Sequence, residues 1–303
     1  MAAITTGSWA KAMWPGVNKF FGMKYNEYTP EWSEFLDKNT SNKSFEEEVS
    51  TTGFGLAQVK TEGSNITYDT AEQGFVSRYQ HITYALGFIV TEEMHDDNLY
   101  MEIGLRRAQS LAFSLRQTKE VVSANLLNRA FNSSYTFGDG IELCSLLNKN
   151  KSGGTWANEP TTAADLSDTA LEQACIDIAG FTNDRGLTIK VLPKKLIIPP
   201  DLEFEAARIL KSIQQPGTAN NDINAIRVLG KIPQGYCVNH FLTDADAWFI
   251  KTDIPDGLKL FQRKAMSFSM DNDFDTTNAK FRAMERYSVG ASDKRGLYGS
   301  PGA

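Results

Sequence analysis

Histidine is nearly missing from this 303-residue chain: only His81, His95 and His240 occur, which leaves little material for acid–base or metal chemistry. Cysteine is equally sparse. Cys144, Cys175 and Cys237 are odd in number and far apart, a pattern that excludes a disulfide framework or a zinc cluster and fits reduced thiols. No apolar run approaches the roughly 20 residues that cross a bilayer, so no membrane span is expected. The first fifteen residues lack a charged head followed by an apolar stretch, so no secretory signal is read and cytoplasmic synthesis is expected. Net charge is −6 with no basic run, which disfavours tight nucleic-acid binding. A wall of weakly acidic protein can nevertheless enclose DNA without adhering to it.

Catalytic motifs are also absent. His95 beside Asp96 and Asp97 has the composition of a metal site, but adjacent helix positions point in different directions. Asp271-Asn-Asp-Phe-Asp275 imitates the start of a calcium loop, yet Thr276 stands where Gly is needed and Arg282 where Glu is needed. No dinucleotide fingerprint, Walker loop, Gly-x-Ser-x-Gly elbow or His-Glu-x-x-His occurs. No catalytic, cofactor-binding or metal residue is therefore assigned, and no cofactor is expected. An unrecognised hydrolase built from carboxylates that meet only in space stays open as a remote alternative.

What is present is an ordinary globular composition, 41% hydrophobic and 22% charged, in an unusual order. Residues 1–44 carry Trp9, Trp14, Phe20, Phe21, Tyr25, Tyr28, Trp32 and Phe35 without sustained periodicity. They read as an extended arm whose rings need a surface, a neighbour's in preference to their own. From Phe54 to Val90, β-branched and aromatic residues including Val59, Ile66-Thr-Tyr68 and Ile82-Thr-Tyr84 suggest a long hairpin turning at Glu62-Gly-Ser-Asn65. Such a ribbon is marginal alone in water and gains by lying on another surface.

Thr91-Glu-Glu-Met94 has the signature of a helix start. A stripe at Leu105, Ala108, Leu111, Leu115, Thr118, Val122 and Leu126 continues the helix to about Phe131. At ~1.5 Å per residue that is a spine of about 60 Å. Loops follow over 132–165. A second unit then combines helices over Leu166–Ala179 and Asp201–Ser212 with strands at Leu187–Leu192, Lys195–Ile198, Ala225–Leu229, Tyr236–Val238 and Ala247–Lys251. Half-buried strands are expected at Leu258–Phe261, Met266–Met270 and Lys280–Val289. The class is α+β.

In this order of elements, the segment Ala71-Glu-Gln-Gly-Phe-Val-Ser-Arg-Tyr-Gln-His-Ile-Thr-Tyr-Ala-Leu-Gly-Phe-Ile-Val-Thr-Glu-Glu-Met94 resembles the Mu-like family of phage major head subunits. So do Lys195-Leu-Ile-Ile-Pro-Pro200, Asp244-Ala-Asp-Ala-Trp-Phe-Ile250 and Lys294-Arg-Gly-Leu-Tyr-Gly-Ser-Pro-Gly302. The similarity runs over nearly the whole chain and is weakest before residue 45.

The resemblance implies a Hong Kong 97-type phage capsid fold. It comprises an N-terminal arm (1–45), an extended β-hairpin loop overlapping a neighbouring subunit (46–88), a peripheral domain with the spine helix (89–155 and 251–303) and an axial domain (156–250). It further implies a non-enzymatic major capsid protein of a tailed bacteriophage. Such a protein self-assembles into homo-pentamers and homo-hexamers of an icosahedral head shell enclosing double-stranded DNA without sequence-specific binding. Expected partners are a portal, an optional decoration protein, and a separate scaffolding protein, because the chain begins almost at once with the arm. No Lys and Asn pair for covalent cross-linking is identified, so a noncovalent shell is expected. The location implied is the virion, after assembly in the bacterial host cytoplasm. An encapsulin-like bacterial nanocompartment shell is the alternative within the same fold. Candidate intersubunit contacts are Trp9, Trp14, Lys60, Glu62, Arg78, Arg106, Arg107, Asp293 and Arg295.

Overall fold

The computed structural model of the chain describes residues 21–91, 100–215, 222–272 and 278–303. Strand β1 (Asp37–Thr40) lies parallel to β10 (Leu258–Asn272), which pairs antiparallel with β11 (Ala279–Ala291). In turn β11 pairs antiparallel with β4 (Ile82–Val90), giving the order β1-β10-β11-β4. Helix α1 (Tyr100–Asn128) crosses this main sheet over β4 and β11. Its 29 residues span about 44 Å; the expected start at Thr91 involves residues 92–99, outside the described residues.

The buried side of α1 agrees with the sequence reading for Ala108, Leu111 and Leu115. It then turns to Lys119, Glu120, Ser123, Ala124 and Leu127, leaving Thr118, Val122 and Leu126 half-buried. Polar side chains therefore continue the buried stripe at positions outside the expected apolar one.

A second sheet has the order β12-β9-β7-β8, formed by β7 (Pro193–Ile198), β8 (Tyr236–Val238), β9 (Trp248–Thr252) and β12 (Leu297–Ser300). Helix α2 (Asp168–Ala179) covers it, and Ser167 caps α2 by accepting from the Ala170 N–H. Pro199 and Pro200 lead through a 3-10 turn into α3 (Glu203–Lys211). Two expected strands are absent. Residues 187–192 contribute only an isolated bridge between Thr182 and Thr188. Residues Ala225–Val228 form α4, because the Asn224 side chain accepts from the Arg227 N–H and starts a helical turn. A minor pair, β5 (Asn148–Lys149) with β6 (Thr155–Trp156), lies between the two units.

The ribbon pairs β2 (Phe45–Thr51) with β3 (Gln73–Gln80). Residues 52–72 between them have no regular strand structure, so Val59 and Ile66–Tyr68 are not hairpin strands. At the far end, β4 leaves the ribbon and joins the main sheet.

One core joins the two sheets: Trp32, Phe35 and Leu36 meet Leu127, Ile197, Phe249, Leu260 and Tyr287. A second fills the unit over β7 and β9, and a third packs Phe21 against Val90, Leu111, Phe268 and Phe281. Phe21, Trp32 and Phe35 of the arm are thus built into their own chain, where a neighbour's surface was expected, while Tyr28 stays 64% exposed. A helical turn over 21–25 buries Phe21, which stacks on Phe268 at 4.6 Å.

Candidate assembly surfaces

The ribbon swings out of the main sheet at two points, Ser41 between β1 and β2 and His81 between β3 and β4. One imidazole ties them together. Buried His81 places Nδ1 2.9 Å from Ser288 Oγ on β11 and Nε2 3.1 Å from Ser41 Oγ. Burial, then Arg286, hold this imidazole below the usual histidine range; Glu46 opposes them and Arg263 reinforces them. The neutral ring is therefore the form that fits this hinge.

Below the hinge, Tyr79 packs edge-on against Phe261 at 4.8 Å and bonds Ser292 through its hydroxyl. Glu48 accepts from Lys259 Nζ at 2.6 Å and also from Ser292. The base of the ribbon therefore lies on its own subunit. Beyond β2 and β3, Asp69 closes the loop by accepting the Gly55 and Thr70 N–H groups, each at 2.8 Å. Those two bonds, with Arg185 3.1 Å away, hold its carboxyl below the ordinary range. Arg185 also donates to the Thr70 carbonyl, tying the loop to the unit that carries β7 and β9. Between these fixed points the loop turns at Gly63, whose φ of +77° suits glycine. It presents Phe54, Leu56, Val59, Ile66 and Tyr68 to solvent, Val59 94% and Tyr68 89% exposed. Such clustered exposed apolar side chains mark a surface that another protein covers.

The arm is fastened by carboxylates. Glu120 on α1 accepts the Glu31 and Trp32 N–H groups, both at 3.0 Å. Burial pushes its carboxyl up while these two bonds pull it down. Glu31 in turn receives the His240 N–H at 2.9 Å, and Glu34 and Asp37 pair with Lys195 and Lys251 at 2.5 and 2.9 Å. Residues 31–37 thus strap α1 to the second sheet.

The sequence-derived contact residues separate into two groups. Lys60 and Glu62 stand exposed at the loop apex, and Arg78 lies exposed on β3 over the Phe45 ring at 4.2 Å. Arg106 and Arg107 are exposed on α1, where Arg107 Nη1 donates to the Ile89 carbonyl at 3.0 Å. The other two face inward. Asp293 caps a short turn by accepting the Arg295 N–H. Arg295 is buried, bonding Asp184 at 2.9 Å, Asn150 at 3.1 Å and the Thr182 carbonyl at 2.6 Å, with its guanidinium over Trp156. It joins elements of its own chain. Trp9 and Trp14 lie outside the described residues. The sequence reading gave His81 no structural role and missed Arg185 and Glu120; His81 lies at a strand junction, Arg185 in a turn and Glu120 mid-helix.

Among the described residues no group of three His, Cys, Asp or Glu side chains is placed to hold a metal ion, and no helix is long and apolar enough to cross a membrane. The three thiols are unpaired; burial pushes Cys237 up to about 12 and raises Cys144 and Cys175.

A family model described as phage capsid protein matches residues 75–300. The chain belongs to the phage capsid protein family. Solved structures similar to this capsid protein include a virus-like particle from Pyrococcus furiosus, at 11% identity and a TM-score of 0.54, covering 94% of this chain and 98% of that one. Another is Mycobacterium phage Patience, at 10% identity and a TM-score of 0.53, covering 98% and 88%. A third is the capsid of a native GTA particle, at 12% identity and a TM-score of 0.52, covering 89% and 90%. At such identities the likeness is one of fold, and the fold of this capsid protein is of the Hong Kong 97 type. No curated protein matches the sequence.

Proposed function

We propose that this chain is the major capsid protein of a tailed bacteriophage, from the Mu-like branch, and acts structurally and not as an enzyme. Homo-pentamers and homo-hexamers of it close an icosahedral shell around double-stranded DNA, held without sequence-specific contacts. A separate scaffolding protein, a portal and an optional decoration protein assemble with it in the host cytoplasm, and the product is the virion head. The family match over residues 75–300 carries this reading.

Within the subunit, residues 1–45 serve as the arm and 156–250 as the axial domain around the capsomer axis. Residues 89–155 and 251–303, with His81 and the first part of β4 contributing 81–88, form the peripheral domain. The extended loop is taken as 46–80, because β4 pairs with β11 and so belongs with the peripheral sheet.

The test is the content of the particles. Particles built of this chain, purified from infected cells and treated with nuclease, are expected to retain double-stranded DNA of uniform length. Particles that hold folded protein cargo and no protected DNA would identify a nanocompartment instead.

A further inference from the structure

The segment after α1 packs against the turn between β11 and β12, and a lysine is buried where they meet. Lys294 is 8% exposed. Its Nζ donates to Asp139 Oδ1 at 2.5 Å, to the Ile141 carbonyl at 3.0 Å and to Asn148 Oδ1 at 3.1 Å. Asn148, on β5, is fully buried. Its Nδ2 donates to the Ser145 carbonyl at 2.9 Å and to Asn158 Oδ1 at 2.7 Å, which fixes the carboxamide with its carbonyl toward Nζ. The Phe137 ring lies 5.9 Å from Nζ. Burial pulls the Lys294 ammonium below the ordinary lysine range, and the hydrogen bond from Asp139 opposes that pull. An amine, a carboxylate that can take its proton and a carboxamide carbon one bond beyond the 3.1 Å contact thus share a site nearly closed to water.

We propose that Lys294 and Asn148 of the same chain join in an isopeptide bond, with Asp139 carrying the proton. Asp139 takes one proton from the Lys294 ammonium, and the freed Nζ attacks Cγ of Asn148, whose carbonyl electron pair moves onto Oδ1. A second proton passes from Nζ to Nδ2 through the Asp139 carboxyl. The tetrahedral carbon then collapses, the Cγ–Nδ2 bond breaks and ammonia departs. Ammonia leaves as ammonium with the proton that Asp139 still holds, which restores the carboxylate. All atoms come from the three side chains. Holding the amine against the amide in one folded site supplies the large effective concentration of an intramolecular reaction. An open pocket of about 320 Å³ borders Asp139 and Lys294 and gives ammonia a way out. The two joined residues are 146 positions apart, so the bond staples the segment after α1 to the turn that leads into β12. It lies within one chain, leaves the contacts between subunits noncovalent and does not depend on the shell reading.

The test is mass spectrometry of the purified full-length chain, intact and after trypsin. The wild type is expected to be lighter than its sequence by one ammonia and to give a branched peptide joining residues 130–149 to 287–295, because trypsin cannot cut after an acylated Lys294. Separate linear peptides from these segments overturn the inference. A loss of ammonia without the branched peptide, as a succinimide at Asn148 would give, overturns it equally. Asp139→Asn, with wild-type circular dichroism, is expected to keep the full mass and yield no branched peptide; a branch formed to the wild-type extent overturns the role of Asp139. Should that variant fail to fold, the wild-type peptides still decide on the bond, and Lys294→Arg, which keeps the positive charge, is expected to lack the branch; a branch that persists in it overturns the assignment to Lys294.

Discussion

Replacing Glu285 by alanine is expected to be among the most damaging single changes in the unassembled subunit. Glu285 on β11 is 2% exposed. It accepts from Lys119 Nζ at 2.5 Å, Gln262 Nε2 at 2.5 Å and the Tyr25 hydroxyl at 2.9 Å. Burial pulls the Lys119 ammonium below the ordinary lysine range, and Glu285 opposes that pull. The Trp32 and Tyr287 rings, 5.0 and 5.1 Å from Nζ, cannot replace a counter-charge. Removing one partner of a buried pair leaves an uncompensated charge and costs about 3–5 kcal/mol. Replacing both charges by apolar groups, Lys119→Met with Glu285→Leu, removes that penalty. The double variant is therefore expected to be more stable than Glu285→Ala, and its cycle with the single variants Lys119→Met and Glu285→Leu to give a coupling of at least ~2 kcal/mol. Urea unfolding of unassembled subunits, followed by circular dichroism, measures both quantities. A loss below about 1 kcal/mol for Glu285→Ala, the value of a solvent-screened pair, or strictly additive variants, would refute the assignment of this pair to the core.

Other sites give independent tests. A Cβ at Gly290 would lie 2.8 Å from Tyr79 Cε1, so Gly290→Ala is expected to cost about 1–3 kcal/mol by overpacking; an unchanged melting temperature would show that the ribbon base yields freely. Glu120→Ala orphans two arm N–H groups at about 1–3 kcal/mol each, and limited proteolysis is expected to cut first near residues 26–36; an unchanged cleavage pattern contradicts the strap. For His81, whose folded pKa is lowered, stability is fully present above the unfolded value of about 6.5 and is lost as pH falls through the folded value. Amide exchange in β2 and β3, corrected for the intrinsic pH effect, is expected to rise on acidification in the wild type and to stay flat in His81→Gln. Equal responses in the two would remove His81 from the hinge.

Much of the main architecture was legible because apolar periodicity reported it. The first half of α1, the helix at Leu166–Ala179, the strand at Lys195–Ile198 and the long C-terminal strands all follow from residue spacing and local chemistry. The errors have physical causes. Leu187–Leu192 alternates like a strand, but its residues find only one bridge partner, and strand formation depends on pairing that local pattern does not contain. Ala225–Val228 has strand-like residues that the Asn224 cap overrides. Lys119 and Glu120 lie outside the expected apolar stripe, because their burial depends on hydrogen-bond partners 88 or more residues away for Glu120 and 143 or more for Lys119. The loop apex was legible as exposed and aromatic, whereas its anchor on Arg185 was not, since Asp69 and Arg185 are separated by 116 residues.

Cryo-electron microscopy of particles assembled from this chain, with and without a candidate scaffolding protein, is the direct test of shell formation. A closed icosahedral shell in which one polypeptide occupies both fivefold and sixfold positions, with residues 54–68 resting on an adjacent copy, is the expected result. A monodisperse small species at high concentration, with no closed particles under either condition, would contradict it.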